Sequence, residues 1–269
     1  MAIINKPWET AFPPHRVFGN TYFAGTIPAS SHLIDTGNGL VVIDTGYQET
    51  LYLVLESIRT LGFDPQDIKY ILHSHGHIDH AAATRALVEL TGAETFVGAG
   101  DADMVMGKND LSWAPEYNMD FPGTFTPDHL LHDGDKISLG NVEIECVATP
   151  GHTAGTFSFF WNAGELDGRS IRAGMMGGAG INSMESWYIR KYHLEKYNLR
   201  EAFAGSIERC RREKVDVVIG NHVGHNKMQQ KYPLLAAGNE NIFVEPSRWN
   251  ALLDEFAASL EKLNISDPL

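Results

Sequence analysis

Short apolar runs alternate with amphipathic stretches along the first half of the chain. Residues 31–36 and 40–44 are apolar runs separated by Gly37-Asn38-Gly39, and the tolerance of Gly and Asn for positive φ predicts a hairpin there. Residues 50–61 carry Leu51, Leu53, Val54, Leu55, Ile58 and Leu61 and stop at Gly62. That spacing, close to the period of about 3.6 residues of an amphipathic helix, predicts a helix ended by glycine. A buried strand is expected at 68–72, a helix at 81–90 and a strand at 95–97. Residues 107–127 are rich in Pro and Asp and hold Trp113, Tyr117, Phe121 and Phe125, as a lid or binding loop does. Strands follow at 136–139, 142–148, 156–161 and 170–173, split by Gly140-Asn141, Pro150-Gly151 and Ala163-Gly164. A helix at 201–213, a strand at 215–219 and a helix at 246–263 complete the pattern. This order predicts an α/β fold of two mixed β-sheets packed together and flanked by helices. With no linker composition or internal repeat, residues 1–269 read as a single domain.

Composition narrows the partners. The formal net charge of −13 repels nucleic acid and anionic lipid at long range, so neither is expected as a partner. No apolar run approaches the roughly 20 residues of a membrane span. The first residues hold one short apolar patch at 2–4, then Lys6, Glu9, Arg16 and prolines, which is not a leader pattern. The expected location is therefore cytoplasmic, or periplasmic where a leader has been removed. Cys146 and Cys210 are too few and too far apart for a disulfide framework, and Cys146, inside a strand pattern, reads as a buried thiol.

Histidine changes the picture. Of twelve, four fall between His73 and His80. In extended backbone, residues two apart project to one side, so His75 and His77 can reach one cation. If the chain then turns into a helix, Asp79 and His80 swing onto a neighbouring position. Three imidazoles and a carboxylate suit zinc, and Gly76 lets backbone and metal approach closely. His152 follows a strand in a tight Pro-Gly turn, and His222 and His225 follow another. Should these strand ends meet, six ligands surround two metals. His73 reads as a packed neighbour, and His129, His132 and His193 as ordinary surface residues.

His75-Gly-His77-Ile-Asp79-His80 resembles the His-x-His-x-Asp-His signature of the metallo-β-lactamase superfamily. Leu40-Val-Val-Ile-Asp44-Thr-Gly46 is similar to that family's strand-and-turn motif, and Pro150-Gly-His152-Thr-Ala-Gly155 to its next metal motif. Asn20-Thr21-Tyr22-Phe23, the Ser74-His75 start and His80 look most like the third subclass of zinc β-lactamases. The resemblance implies an αββα sandwich with two zinc ions per chain. It assigns His75, His77 and His152 to the first metal, Asp79, His80 and His222 to the second, and a supporting role to Asp44. The segment after the 170–173 strand departs from the many relatives that bridge both metals with an aspartate there. The third subclass instead offers serines that position a substrate carboxylate; Met176 and Gly178 stand at those places.

The implied activity is hydrolysis of a small molecule, with hydroxide held at the metals attacking a cyclic amide (β-lactam) or ester carbonyl and Asp79 orienting it. Trp113, Tyr117, Phe121, Met175, Met176 and His225 are candidates for the substrate pocket. The alternatives are a thioester hydrolase of glyoxalase type, an iron-dependent oxidoreductase on the same fold, and a metal-binding protein without catalysis. A serine-nucleophile elbow, a zinc-protease His-Glu motif and a phosphate-binding glycine loop are all missing.

Overall fold

The computed structural model describes residues 5–121 and 123–269; the apolar patch at 2–4 and Pro122 of the long loop lie outside them. Twelve strands make two sheets among the described residues. The first holds β1 (His15–Phe18), β2 (Thr21–Phe23), β3 (His32–Asp35), β4 (Leu40–Ile43), β5 (Ile68–Leu72), β6 (Glu94–Gly98) and β7 (His129–Leu131) in that order. It is antiparallel from β1 to β4 and parallel from β4 to β7. β4 reads Leu-Val-Val-Ile and is buried throughout, as a strand covered on both faces must be.

The second sheet holds β8 (Lys136–Leu139), β9 (Val142–Ala148), β10 (Phe157–Leu166), β11 (Arg169–Met175) and β12 (Val217–Val218), ordered β12-β11-β10-β9-β8. Only the β11–β12 pair is parallel. The sheets face each other across a core that sets Val17, Phe23, Ile34 and Ile43 against Phe159, Trp161 and Ile171.

Helices cover the outer faces. α1 (Leu51–Thr60) and α3 (Thr84–Thr91) pack Val54, Ile58 and Leu87 on the first sheet. A short α2 (Ile78–Ala81) precedes α3, and α4 (Ala102–Val105) follows β6. α5 (Ser186–Tyr192), α6 (Leu199–Cys210) and α8 (Pro246–Ser266) pack Tyr188, Phe203, Trp249 and Leu253 on the second sheet, and α7 (Met228–Ala236) lies between β12 and α8 in the chain. The layering is helix, sheet, sheet, helix, the αββα sandwich that the resemblance implies.

The predicted hairpin forms, with Thr36 N–H donating to Gly39 O at 3.1 Å between β3 and β4. Two expectations change. The helix expected at 81–90 is two pieces, α2 and α3, because the chain bends at Ala82-Ala83. Ala163-Gly164 does not end a strand: β10 continues to Leu166 through a bulge at that point, with Gly164 at φ 133°. The turn falls at Asp167-Gly168 instead, both with positive φ.

Direction decides where the site lies. β4 and β5 run parallel, and so do β11 and β12; β9 shares the direction of β11 because both oppose β10. The C-terminal ends of these strands deliver the loops at 44–47, 73–80, 149–156, 176–183 and 219–226 to one rim. Ligand sites in such sheets form outside the carboxyl ends of strands.

Candidate metal centre and cleft

Asp44 follows β4 in the left-handed region, at φ 61°, which a short acidic side chain tolerates better than most. The turn aims its carboxylate back at the loop after β5. Ser74 donates to it twice, from N–H at 2.7 Å and from Oγ at 2.6 Å, and His80 Nδ1 lies 2.8 Å away. A carboxylate only accepts, so His80 donates from Nδ1, which leaves its Nε2 to face the other loops. Ser74 Oγ has spent its proton on Asp44 and therefore accepts from His75 Nδ1 at 3.0 Å.

The same logic fixes two more rings. His152 Nδ1 donates to Gly180 O at 2.6 Å, and His222 Nδ1 to Pro28 O at 2.8 Å. Four imidazoles are thus held by oxygen acceptors behind them, the arrangement that orients metal-ligating histidines. Their free Nε2 atoms converge. His75 Nε2 and His152 Nε2 are 3.2 Å apart, close enough to share one cation. His80 Nε2 is buried without a hydrogen-bond partner. It lies 3.1 Å from Asp79 Oδ2 but is not aligned to donate to it, as befits two groups facing a common third. Asp79 Oδ2 is also 3.7 Å from His222 Nε2.

Two sets of donor atoms lie within 4.8 Å of one another: His75, His77 and His152, and His75, Asp79 and His80. His222 stands further out, its ring 5.1 Å from that of His80.

Electrostatics favours ligation. Burial holds His75 and His77 well below the ordinary imidazole value, and the neighbouring rings add to it. Burial lowers His152 to about 4 and also lowers His222. Burial pulls His80 down as well, but Asp79 and Asp44 flank the ring and raise it to about 10. Burial would raise Asp79, yet the charge of His80 and its closeness pull it below the usual carboxylate range. His75, His77, His152 and His222 are therefore held neutral and Asp79 ionised, the forms that bind metal, while His80 keeps a proton between its two carboxylates that a bound metal would displace.

The group that binds the loops together was not among the candidates read from the sequence. Asp101, fully buried just after β6, accepts from Gly76 N–H at 2.8 Å, Gly155 N–H at 2.8 Å and Thr153 Oγ at 2.6 Å. It thereby ties the His75–His77 loop to the His152 turn. A side chain at position 155 would meet Asp101 N at 2.3 Å, so the approach requires glycine there. The available signal was a small-residue run, Gly98-Ala99-Gly100-Asp101, at the end of a parallel strand.

A cavity of about 280 Å³ opens over the centre, lined by His77, Asp79, His152, His222, His225, Trp113 and Tyr117. Trp113 stacks on Tyr188 at 5.0 Å and donates to Ser183 Oγ at 2.9 Å. Three expected pocket residues are elsewhere. Met175 and Met176 are buried in the two cores around β11, because the chain beyond them turns its backbone, not these side chains, to the cleft. Phe121 packs beside Ile78, Ala82 and Val105, pinning the loop. His73 is a packed neighbour, bonded to Phe96 O and Thr84 Oγ.

The family model of the metallo-beta-lactamase superfamily matches residues 24–166. The chain belongs to the metallo-beta-lactamase superfamily. It is similar over 95% of its length, and 97% of theirs, to FEZ-1 metallo-beta-lactamase from Legionella gormanii, at 29% identity and a TM-score of 0.86. GOB-18 metallo-beta-lactamase from Elizabethkingia meningoseptica is similar at 27% identity and a TM-score of 0.83, covering 97% of this chain and 96% of that one. BJP-1 of Bradyrhizobium japonicum, a subclass B3 metallo-beta-lactamase, shares the fold at 22% identity and a TM-score of 0.83 over 97% and 96% of the two chains.

Among curated relatives, a "Beta-lactamase hydrolase-like protein" of Agrobacterium fabrum is 35% identical over 39% of this chain, and a "Hydroxyacylglutathione hydrolase" of Chelativorans sp. 31% identical over 40%. The matches span 23% and 34% of those relatives, so the chain aligns with well under half their length. As a metallo-beta-lactamase superfamily member the chain has the histidine-rich motifs on which the resemblance rests, and no serine at 176 or 178. A side chain at Gly178 would strike the His152 ring at 2.5 Å, which leaves no room for a hydroxyl there. Among the described residues no helix is long and apolar enough to cross a membrane.

Proposed function

We propose that this superfamily member is a zinc-dependent hydrolase acting on the carbonyl of a small cyclic amide or ester, and that its residues 1–269 work as one domain. The observation that carries the reading is the convergence of Nε2 atoms, each ring held from behind by an oxygen acceptor. His75, His77 and His152 would hold one zinc; Asp79, His80 and His222 would hold the other. Zinc supplies, when bound, the Lewis acidity that polarises a carbonyl and acidifies water. Asp44 holds His80 by Nδ1 so that Nε2 faces the metal position and, through Ser74, does the same for His75. Asp79, held ionised, accepts a hydrogen bond from the attacking water and so orients it. Trp113 and Tyr117 wall the cleft and limit the water around the reacting carbonyl.

Metal content measured together with nitrocefin, lactone and thioester hydrolysis tests the proposal. Two zinc ions and turnover of a lactam or lactone are expected. Metal-loaded protein that hydrolyses none of the three would overturn it. Thioester hydrolysis is the second reading, favoured by the "Hydroxyacylglutathione hydrolase" relative; turnover of the thioester alone would select it. Iron with redox activity would select the oxidoreductase reading instead.

A further inference from the structure

Once His77, Asp79, His152 and His222 are set aside for metal and the Trp113 N–H for Ser183, the polar side chains left to the cleft are Tyr117, Asn182 and His225. Tyr117 stands at the mouth, 38% exposed; His225 is built in. Its N–H donates to His222 O at 3.1 Å, and its carbonyl accepts from Arg248 Nε at 2.7 Å. Arg248, itself buried on α8, is clamped to Glu255 by two bonds of 2.6 and 2.8 Å. The ring packs edge-on to Phe256 at 5.2 Å and close over Gly220, where a side chain would meet its Cβ at 2.7 Å. Yet His225 is not held as His75, His80, His152 and His222 are. Those rings have an oxygen acceptor behind Nδ1, whereas the Nδ1 of His225 is buried with no partner among the described residues.

Nε2 is then the nitrogen that opens on the cleft, making no hydrogen bond to any described residue. A buried N–H without an acceptor is among the rarest of unmet groups, so the ring proton belongs on Nε2. From this arrangement we infer that His225 is a catalytic residue: its Nε2–H donates a hydrogen bond to the oxygen of the carbonyl under attack, on the His222 side of the cleft, where the two rings are 5.6 Å apart. The inference rests on the hydrolase reading above. Water forms the new bond to the acyl carbon, the bond to the departing oxygen or nitrogen breaks, and the departing atom takes a proton that came with the water; His225 keeps its own. The accepting oxygen gains negative charge on the way to the tetrahedral state, so this bond strengthens there and acts on kcat more than on KM. A buried nitrogen without a partner costs stability that an apolar side chain of similar size would not, and such departures from packing rules mark functional sites.

The test compares zinc-loaded His225→Gln, whose amide N–H reaches the place of Nε2, with His225→Leu, which fills the site without a donor, on nitrocefin and p-nitrophenyl acetate. Zinc content should equal the parent's in both, and the leucine variant should melt no lower than the parent. In the leucine variant kcat should fall about tenfold to a hundredfold while KM stays within about threefold, and the glutamine variant should keep kcat within about fivefold of the parent. A role in packing alone predicts the reverse order, so a leucine variant as active as the glutamine one overturns the inference and leaves the hydrolase reading standing. Loss of zinc from the leucine variant also overturns it, since His225 would then be a ligand. The ring tautomer, read from the nitrogen-15 resonances of the zinc-loaded parent, decides independently of turnover and of the variants' folding. A proton on Nε2 supports the donor and a proton on Nδ1 overturns it, even where the parent hydrolyses nothing and the hydrolase reading falls.

Discussion

Replacing Asp101 with alanine isolates the tie between the two histidine-bearing loops. The carboxylate accepts from Gly76 N–H, Gly155 N–H and Thr153 Oγ. Thr153 has Thr156 Oγ1 as a second partner at 2.8 Å, but the two N–H groups have no other acceptor within their loops. Each buried donor left unmade costs about 1–3 kcal/mol, so the variant should lose about 2–6 kcal/mol. For a chain of this size that lowers the melting temperature by about 2–4 °C per kcal/mol. Because His75, His77 and His152 ride on the released loops, zinc affinity should also drop by about 10–100-fold, as for other groups that hold ligands in place. Burial raises the Asp101 pKa against the three bonds that lower it. The folded carboxylate is therefore strained by its surroundings and weakens the fold as pH rises through its folded pKa. Asp101→Asn, which keeps one acceptor and removes that charge, should retain more stability than alanine yet still bind zinc less tightly than the parent. The assays are thermal denaturation of metal-free protein and zinc competition with a chromophoric chelator. A stability loss below about 1 kcal/mol together with unchanged zinc affinity would refute the reasoning.

His77→Ala should abolish activity and release metal while leaving the far-ultraviolet circular dichroism intact; retained zinc stoichiometry would contradict the ligand assignment. Met176→Ser, which would improve turnover of carboxylate-bearing lactams if residue 176 faced the substrate, should instead give no gain. Its side chain is buried beside Phe160, Tyr188 and Phe203, so a loss of about 2–5 kcal/mol is expected, read by urea denaturation. Burial raises both Cys146 and Cys210 to about 12. The thiols thus stay protonated at pH 8 and should ignore a thiol-reactive dye until the protein unfolds, when two should react; reaction in the native state would show that burial is overstated.

Much of this was legible in sequence because the chemistry is local. His75, His77, Asp79 and His80 sit within six residues, and their convergence needs only one strand end and one helical turn. The strands at 136–139 and 142–148 were bounded correctly because their alternation is undisturbed and a Gly-Asn turn separates them. β1, β2 and β7 escaped notice: each has three or four residues, too few to show a period. α5 was missed because its seven residues make only about two turns, so the stacking of Tyr188 on Trp113 was invisible. Asp101 carries no motif, and its role exists only because β6 ends beside the loop after β5. The aromatic loop carried no sign of which rings face inward: Trp113 and Tyr117 line the cleft, whereas Phe121 is spent on packing.

Anomalous diffraction at the zinc edge, from crystals of the zinc-loaded protein, tests the central claim most directly. Two peaks are expected, one among His75, His77 and His152 and one among Asp79, His80 and His222. A map without density between those side chains, or with zinc bound only at other surfaces, would contradict it.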